Sequence, residues 1–295
     1  MGNFVYGTNG QAITANRSFK PSPDYSAPLI FRVGMGTTSP SISDISLQNP
    51  IPYWSASTTK DSCDATTGWS ITGGALVVNN VTFIEGTGSL DMSKTATNVY
   101  SSIITKSTLT AVNLTSDSFI VWMYIKDAAT LAKLQVVFID LGSDASNYYR
   151  WRAQTNQMFV GWNPIFDMIP ADAYQTVGAP TIASLTYCKI NVQAALITNT
   201  WPAGSILVDW IAQYTPSDLV ATQTIDTTNL TVTATGTLPK TYAGANGQPI
   251  SEFGLFNTDG TYPFQRLLFD RSTFTPINKT SAFQLNFEEQ YVFNT

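Results

Sequence analysis

Apolar and polar positions alternate along most of this chain, and the period is that of strands. In Ser118–Lys126, Phe119, Val121, Met123 and Ile125 share one face. Ile120, Trp122 and Tyr124 on the other face are apolar too, which predicts a central strand covered on both sides. In Asn147–Arg152, Tyr149 and Trp151 oppose Tyr148, Arg150 and Arg152, so one face is aromatic and the other carries cations. Gly74–Phe83, Leu134–Leu141, Leu185–Leu196 and Ser205–Gln213 read as further strands. Ala128–Leu134 is the only helix-like run, while Gly161-Trp-Asn-Pro164 and Asp140-Leu-Gly-Ser-Asp144 read as a loop and a turn. After Pro216 the texture becomes Thr-rich (Thr222–Thr237), then Gly-rich (Ala243–Gly247), with strands at Ile250–Asn257, Phe264–Phe269 and Ala282–Phe293.

The first 28 residues read differently. Gly2, Gly7, Gly10, Pro21, Pro23 and Pro28 interrupt any regular element and predict an extended N-terminal arm. Leu29–Met35 is a short strand leading into a turn, and Ser41–Leu47 a single helical turn closed by Pro50 and Pro52. Many strands separated by polar turns place the chain in the all-β class, as a jelly-roll β-sandwich.

Composition narrows the function. At 295 residues the chain is long enough for two domains. Charged residues are only 12 % and the net charge is −5, which leaves no basic surface to displace counterions from nucleic acid. Histidine is absent, excluding Ser-His-Asp and Cys-His catalysis and histidine-ligated zinc. Cys63 and Cys188 could form one disulfide or remain two buried thiols, the second being favoured. Met1–Asn16 lacks a basic start and an apolar run, and no stretch has the apolar length to cross a bilayer, so the expectation is a soluble chain made in a cytoplasm.

Two separated stretches resemble structural modules of tailed-bacteriophage virions. Val33-Gly-Met-Gly-Thr-Thr-Ser-Pro-Ser-Ile-Ser-Asp-Ile-Ser-Leu47 is similar to an opening G-x-G-T-T-x-P-S-x-S-D-x-x-L segment. Ile250-Ser-Glu-Phe-Gly-Leu-Phe-Asn257, with Arg271-Ser-Thr-Phe-Thr-Pro-Ile-Asn-Lys-Thr280, is similar to the closing part. In those modules the two parts lie close in sequence, which implies an insertion here. The expected layout is an arm at 1–28, a discontinuous anchoring β module at 29–56 and 218–295, and an inserted jelly roll at 57–217. The insert in turn resembles concanavalin-like and carbohydrate-binding jelly rolls. Asp61-Ser-Cys-Asp-Ala-Thr-Thr-Gly-Trp69, Glu85-Gly-Thr-Gly-Ser-Leu90 and Asp209 within Leu207-Val-Asp-Trp-Ile211 carry that likeness.

These resemblances imply a non-enzymatic virion surface protein made in the host cytoplasm. A head-decoration protein on the major capsid protein is favoured over a tail or tail-fibre component that touches host glycans, and homotrimers are common among such components. A secreted lectin or glycan hydrolase is the alternative from another class. Glu252 with Arg271 or Lys279 could make a charge-assisted bond inside an interface, or simply solvate turns. A structural calcium could be held by Asp61, Asp64, Glu85 and Asp209, although the capping of turns is the favoured reading of these acids. Sugar faces stack on aromatic rings and hydroxyls need planar polar partners, so Trp162, Asn163, Trp151, Tyr149, Arg150 and Trp201 are the glycan-contact candidates, with Trp162 the most exposed.

Overall fold

The computed structural model describes residues 3–6, 8–44, 46–245, 247–258 and 266–292. It is all-β and divides into two compact units, one formed by Met1–Trp54 with Ser217–Thr295 and the other by Ser55–Pro216.

The Ser55–Pro216 unit is a sandwich of two six-stranded antiparallel sheets. The first sheet runs Gln175–Val177, Asn147–Gln154, Leu134–Asp144, Tyr187–Ala194, Ser101–Lys106, Trp69–Thr72. The second runs Gly161–Met168, Ser118–Ile125, Ile206–Pro216, Ser89–Met92, Leu76–Asn79, with Trp54–Asp61 also pairing Ile206–Pro216. Between them lies a core fed by alternate residues: Phe119, Val121, Met123 and Ile125 from one sheet, Val137, Ile139, Leu141, Ile190 and Val192 from the other. Ile120 and Trp122, on the far face of their strand, are buried as well. Cys63 and Cys188 are buried free thiols, both held protonated because burial raises their pKa.

Three expectations fail in this unit. Gly161-Trp-Asn-Pro164 opens the Gly161–Met168 strand instead of forming a loop. That strand is at the sheet edge, where proline's missing N–H breaks no ladder. Asp140-Leu-Gly-Ser-Asp144 continues the Leu134–Asp144 strand, because Asp140 is neutralised by cross-strand cations and Gly142 fits between two tyrosines. Gly74–Phe83 shrinks to Leu76–Asn79, since Asn79 turns back to accept from the Val81 and Thr82 amides.

The split unit holds a six-stranded sheet in which Pro28–Gly34 pairs with Pro249–Asn257, and that strand with Leu268–Asn278. Residues from the two ends of the sequence therefore share one sheet. A three-stranded sheet, Thr222–Asp226, Thr231–Leu238 and Leu285–Val292, packs on one face through Phe31, Phe253 and Phe287, whose ring centroids lie 5.0–6.2 Å apart. The Thr-rich stretch is thus a hairpin, its turn closed by Asp226 accepting from the Thr228 and Asn229 amides.

The N-terminal segment is no extended arm. Thr8–Phe19 is a helix, with Ile13 buried and Thr8 donating to the Ile42 carbonyl. Glycines and prolines bracket this segment, but Gln11–Arg17 between them has no strong breaker and can close helical turns. Met1, Gly2 and Gly7 lie outside the described residues. The helical turn expected at Ser41–Leu47 is a reverse turn among the described residues, with the Asp44 amide donating to the Ser41 carbonyl at 3.0 Å. The strand expected at Phe264–Phe269 begins only at Leu268; Phe264 and Gln265, like Phe293, lie outside the described residues.

Candidate functional site

Leu134–Asp144 turns Val137, Ile139 and Leu141 into the core, so Phe138 and Asp140 take the outer face. Register carries neighbours onto the same face: Arg152 and Asn191 flank Phe138, Arg150 and Lys189 flank Asp140, and Tyr148 and Tyr187 flank Gly142. Gln175 continues the row beyond Arg150. Three strands thereby build one surface of rings, cations and amides.

Asp140 is the electrostatic centre of this face. Its side chain is 0 % exposed and bonds Arg150 twice, Nε to Oδ1 at 2.7 Å and Nη2 to Oδ2 at 2.9 Å, while Lys189 Nζ lies 2.6 Å from Oδ2. Arg150 also donates to the Tyr148 hydroxyl at 3.2 Å and lies over the Phe138 and Tyr148 rings. The Asp140 contacts raise the Arg150 pKa further, so the guanidinium stays charged. Removing one partner of so buried an acid costs about 3–5 kcal/mol. Lys189 Nζ is 5.0 Å from the Tyr148 centroid, and Arg152 is 4.5 Å from that of Tyr174. Tyr174 is 57 % exposed. Beside it, Trp151, Arg152, Phe166, Asp167, Asp172 and Tyr174 line a cleft of about 310 Å³.

The glycan candidates do not gather in one place. Arg150 belongs to the face just described. Tyr149 and Trp151, from the same strand, point into the sandwich, where Trp151 is 6 % exposed and donates Nε1 to the Ile169 carbonyl. Trp201 is 1 % exposed, its Nε1 donated to the Met92 carbonyl. Asn163 is buried, its amide holding the Phe159 and Gly161 backbone. The Trp151, Trp201 and Asn163 side chains are structural. Trp162 is half-buried on the other sheet, its ring tilted 56° against that of Tyr124 with the centroids 5.3 Å apart. Sequence reading missed Phe138, Tyr148, Tyr174, Tyr187 and Lys189; the cationic face noted at Arg150 and Arg152 was the one signal pointing to them.

The expected calcium ligands are likewise dispersed into bonds. Asp61 pairs with Lys106 and accepts from Trp69 Nε1. Asp64 accepts from the Thr87 and Gly88 amides, and Asp209 from those of Ile84 and Glu85. Glu85 Oε2 is buried without a partner, and burial with the nearby Asp64 charge raises the Glu85 pKa. Among the described residues no group of three or more acids is spaced to hold a metal ion.

Glu252, Arg271 and Lys279, the expected interface residues, are buried inside the split unit. Glu252 accepts from the Gly36, Gln48 and Asn49 amides and from Arg271 Nε at 2.8 Å; Arg271 reaches Asp44 at 2.8 Å. A Cβ at Gly34 or Gly36 would collide with the Glu252 carboxylate. The glycines of the first motif therefore make room for the glutamate of the second. Lys279 instead points at the Lys240, Tyr242 and Thr280 carbonyls.

No protein-family model matches the chain, and no curated protein matches it. Among solved structures it is similar to an exo-β-agarase (TM-score 0.40, 10 % identity, over 57 % of this chain and 25 % of that one). It is also similar to a family 11 carbohydrate-binding module from Clostridium thermocellum (TM-score 0.37, 9 % identity, 54 % and 96 %). A third likeness is to a β-sandwich carbohydrate-binding module (0.35, 13 %, 53 % and 62 %). The chain thus spans a quarter of the agarase's length and under two thirds of the third structure's. Likenesses this distant say nothing of what this chain binds.

Proposed function

We propose that this protein works by contact, without bond-making chemistry, and that its sandwich holds a glycan on the outer face of the Leu134–Asp144, Asn147–Gln154 and Tyr187–Ala194 strands. The observation that carries this reading is the juxtaposition of the Phe138 and Tyr148 rings with Arg150, Arg152, Lys189, Asn191 and Gln175 on one ordered sheet, with the Tyr174 ring from the bend beside it against Phe138 and Arg152. Rings present apolar area to sugar C–H faces, and planar or charged donors beside them meet hydroxyls. A rigid sheet holds both at fixed spacing, so little entropy is lost on binding. A catalytic reading lacks support from the acids placed here: Asp140 is consumed by two cations, and Asp270 with Glu289 is buried between the sheets of the split unit.

A polysaccharide array probed with the full chain tests this. Binding in the micromolar to millimolar range is expected, weakened about tenfold or more by Tyr148→Ala or Tyr174→Ala, the latter, at an exposed position, with an unchanged melting midpoint. Absence of binding to any glycan at millimolar concentration would overturn it.

A second reading concerns the split unit, which we propose as an anchor on a virion, with a trimer as its assembled form and the capsid as its partner. What supports it is the convergence of the two motif segments on Glu252, which neither segment could satisfy alone. Antibody labelling of particles is expected to place the chain on the head surface; label confined to the tail would favour the fibre alternative, and no label would remove the reading.

A further inference from the structure

Charge distribution across the same face deepens the glycan reading, on which this inference rests. Arg150, Lys189 and Arg152 stand on it with Asp140 the one acid in their register, so cations outnumber acids on these strands of a chain whose net charge is −5, while Asp167 and Asp172 line the cleft that Arg152 also borders. The carboxylate is sunk beneath the cations at 0 % exposure, whereas the Arg150 and Lys189 side chains keep 21 % and 20 %. A ligand arriving from solvent therefore meets donors first. Arg150 commits Nε and Nη2 to Asp140, and its Nη1 has no acceptor among the described residues. Arg152 gives Nε and Nη2 to the Gln154 side-chain oxygen at 3.0 Å in the amide orientation that satisfies both, again leaving Nη1. Gly142, paired with Tyr148 on one side and Tyr187 on the other, adds no side chain above this seat. The acids of the adjoining cleft bound the patch at one edge only, and Asp167 there accepts from the Tyr214 hydroxyl at 2.6 Å.

We infer that the glycan held on this face is anionic, with a sugar carboxylate or sulfate seated across Arg150 and Lys189 and a second anionic group reaching Arg152. An anion completes the donor set that Asp140 leaves half used, and charge-assisted bonds to it are about twice as strong as neutral ones. A neutral glycan would leave the surplus cations facing hydroxyls. The flanking rings supply the apolar contact that keeps the complex specific for a polymer of sugars over a free ion.

Calorimetric titration of the full chain with polygalacturonate, chondroitin sulfate and a neutral β-glucan, at low salt and at about 0.3 M NaCl, tests this. The expected result is binding of one or both anionic polymers about tenfold tighter than the neutral one at low salt, with the preference shrinking as salt rises. The carboxylated and sulfated arms identify which anion is seated. Arg152→Gln, at an exposed position, and Lys189→Gln are each expected to weaken anionic binding roughly tenfold, while Arg152→Lys keeps most of it. Should Lys189→Gln unfold the sheet by exposing the buried Asp140 charge, the Arg152 pair still decides. Equal affinity for the neutral glucan, insensitive to salt and to Arg152→Gln, would overturn the anionic inference and leave the glycan reading standing. Silence in all three arms would also overturn the anionic inference, and the polysaccharide array then decides the glycan reading by itself.

Discussion

At the scale of single residues, the polar groups that matter most are buried ones whose partners lie far off in sequence. Asp209 accepts from the Ile84, Glu85 and Trp210 amides, yet burial outweighs those bonds and pushes its pKa up to about 7. Between about pH 4 and pH 7 the folded chain holds a proton that the unfolded chain has released. Stability from this group is therefore lost as pH rises through that window, by an amount on the order of 4 kcal/mol. Chemical denaturation at pH 5 and pH 7.5 should show the wild type losing stability, and Asp209→Asn should flatten that slope. The same measurement checks calcium. With the carboxylates placed as they are, neither calcium nor chelator is expected to move the midpoint, and a calcium-dependent rise would restore the site expected from sequence. Grouping Asp209, Asp64 and Glu85, with turn capping as one of their roles, was within reach of the sequence; which amides of the turn at 84–88 each carboxylate takes was not. It depends on a strand more than a hundred residues downstream.

At the scale of elements, strands with uniform chemistry were legible and strands with mixed chemistry were not. Ser118–Ile125 and Tyr187–Ala194 are apolar enough that their pattern alone locates them within a few residues. Leu268–Asn278 was missed because Asp270, Arg271, Ser272 and Thr273 interrupt the apolar run, although all four are buried. Glu252 and Asp44 for Arg271, and Glu289 for Ser272, replace the water that these side chains would otherwise need. The Thr231–Leu238 strand was hidden by its threonines and by Gly236, which sits against the Phe31 ring. A Cβ there would collide with that ring, so Gly236→Ala should destabilise the protein by about 1–3 kcal/mol in a denaturant titration. Relief of that loss by Phe31→Leu in the double variant would identify the ring as the cause.

For the whole molecule, the unit boundaries at Trp54/Ser55 and Pro216/Ser217 divide the chain into two parts with separate hydrophobic interiors. The segment Ser55–Pro216 closes its own sandwich, with its first strand pairing its last. Expressed alone it should melt cooperatively as a monomer, and limited proteolysis of the full chain should cut near residues 55 and 216 before any site within 118–210. Early cuts inside that range would mean that the sandwich depends on the rest of the chain. The full chain is expected to sediment as a trimer if the split unit is the assembling one.

Alternation with period two is a property of neighbouring residues, so the amino-acid order was sufficient to establish an all-β protein and to assign the two faces of its best strands. Absence of histidine and scarcity of charge were equally visible without coordinates. Which strands become neighbours, and in what register, follows from closure of distant segments against one core. That closure brought Asp140 between Arg150 and Lys189, and Glu252 between Gly36 and Arg271. It also sent Trp151 and Trp201 inward while leaving Tyr148 and Tyr174 on the outer face. A side chain's chemistry is written in the sequence; the company it keeps is settled by non-local packing.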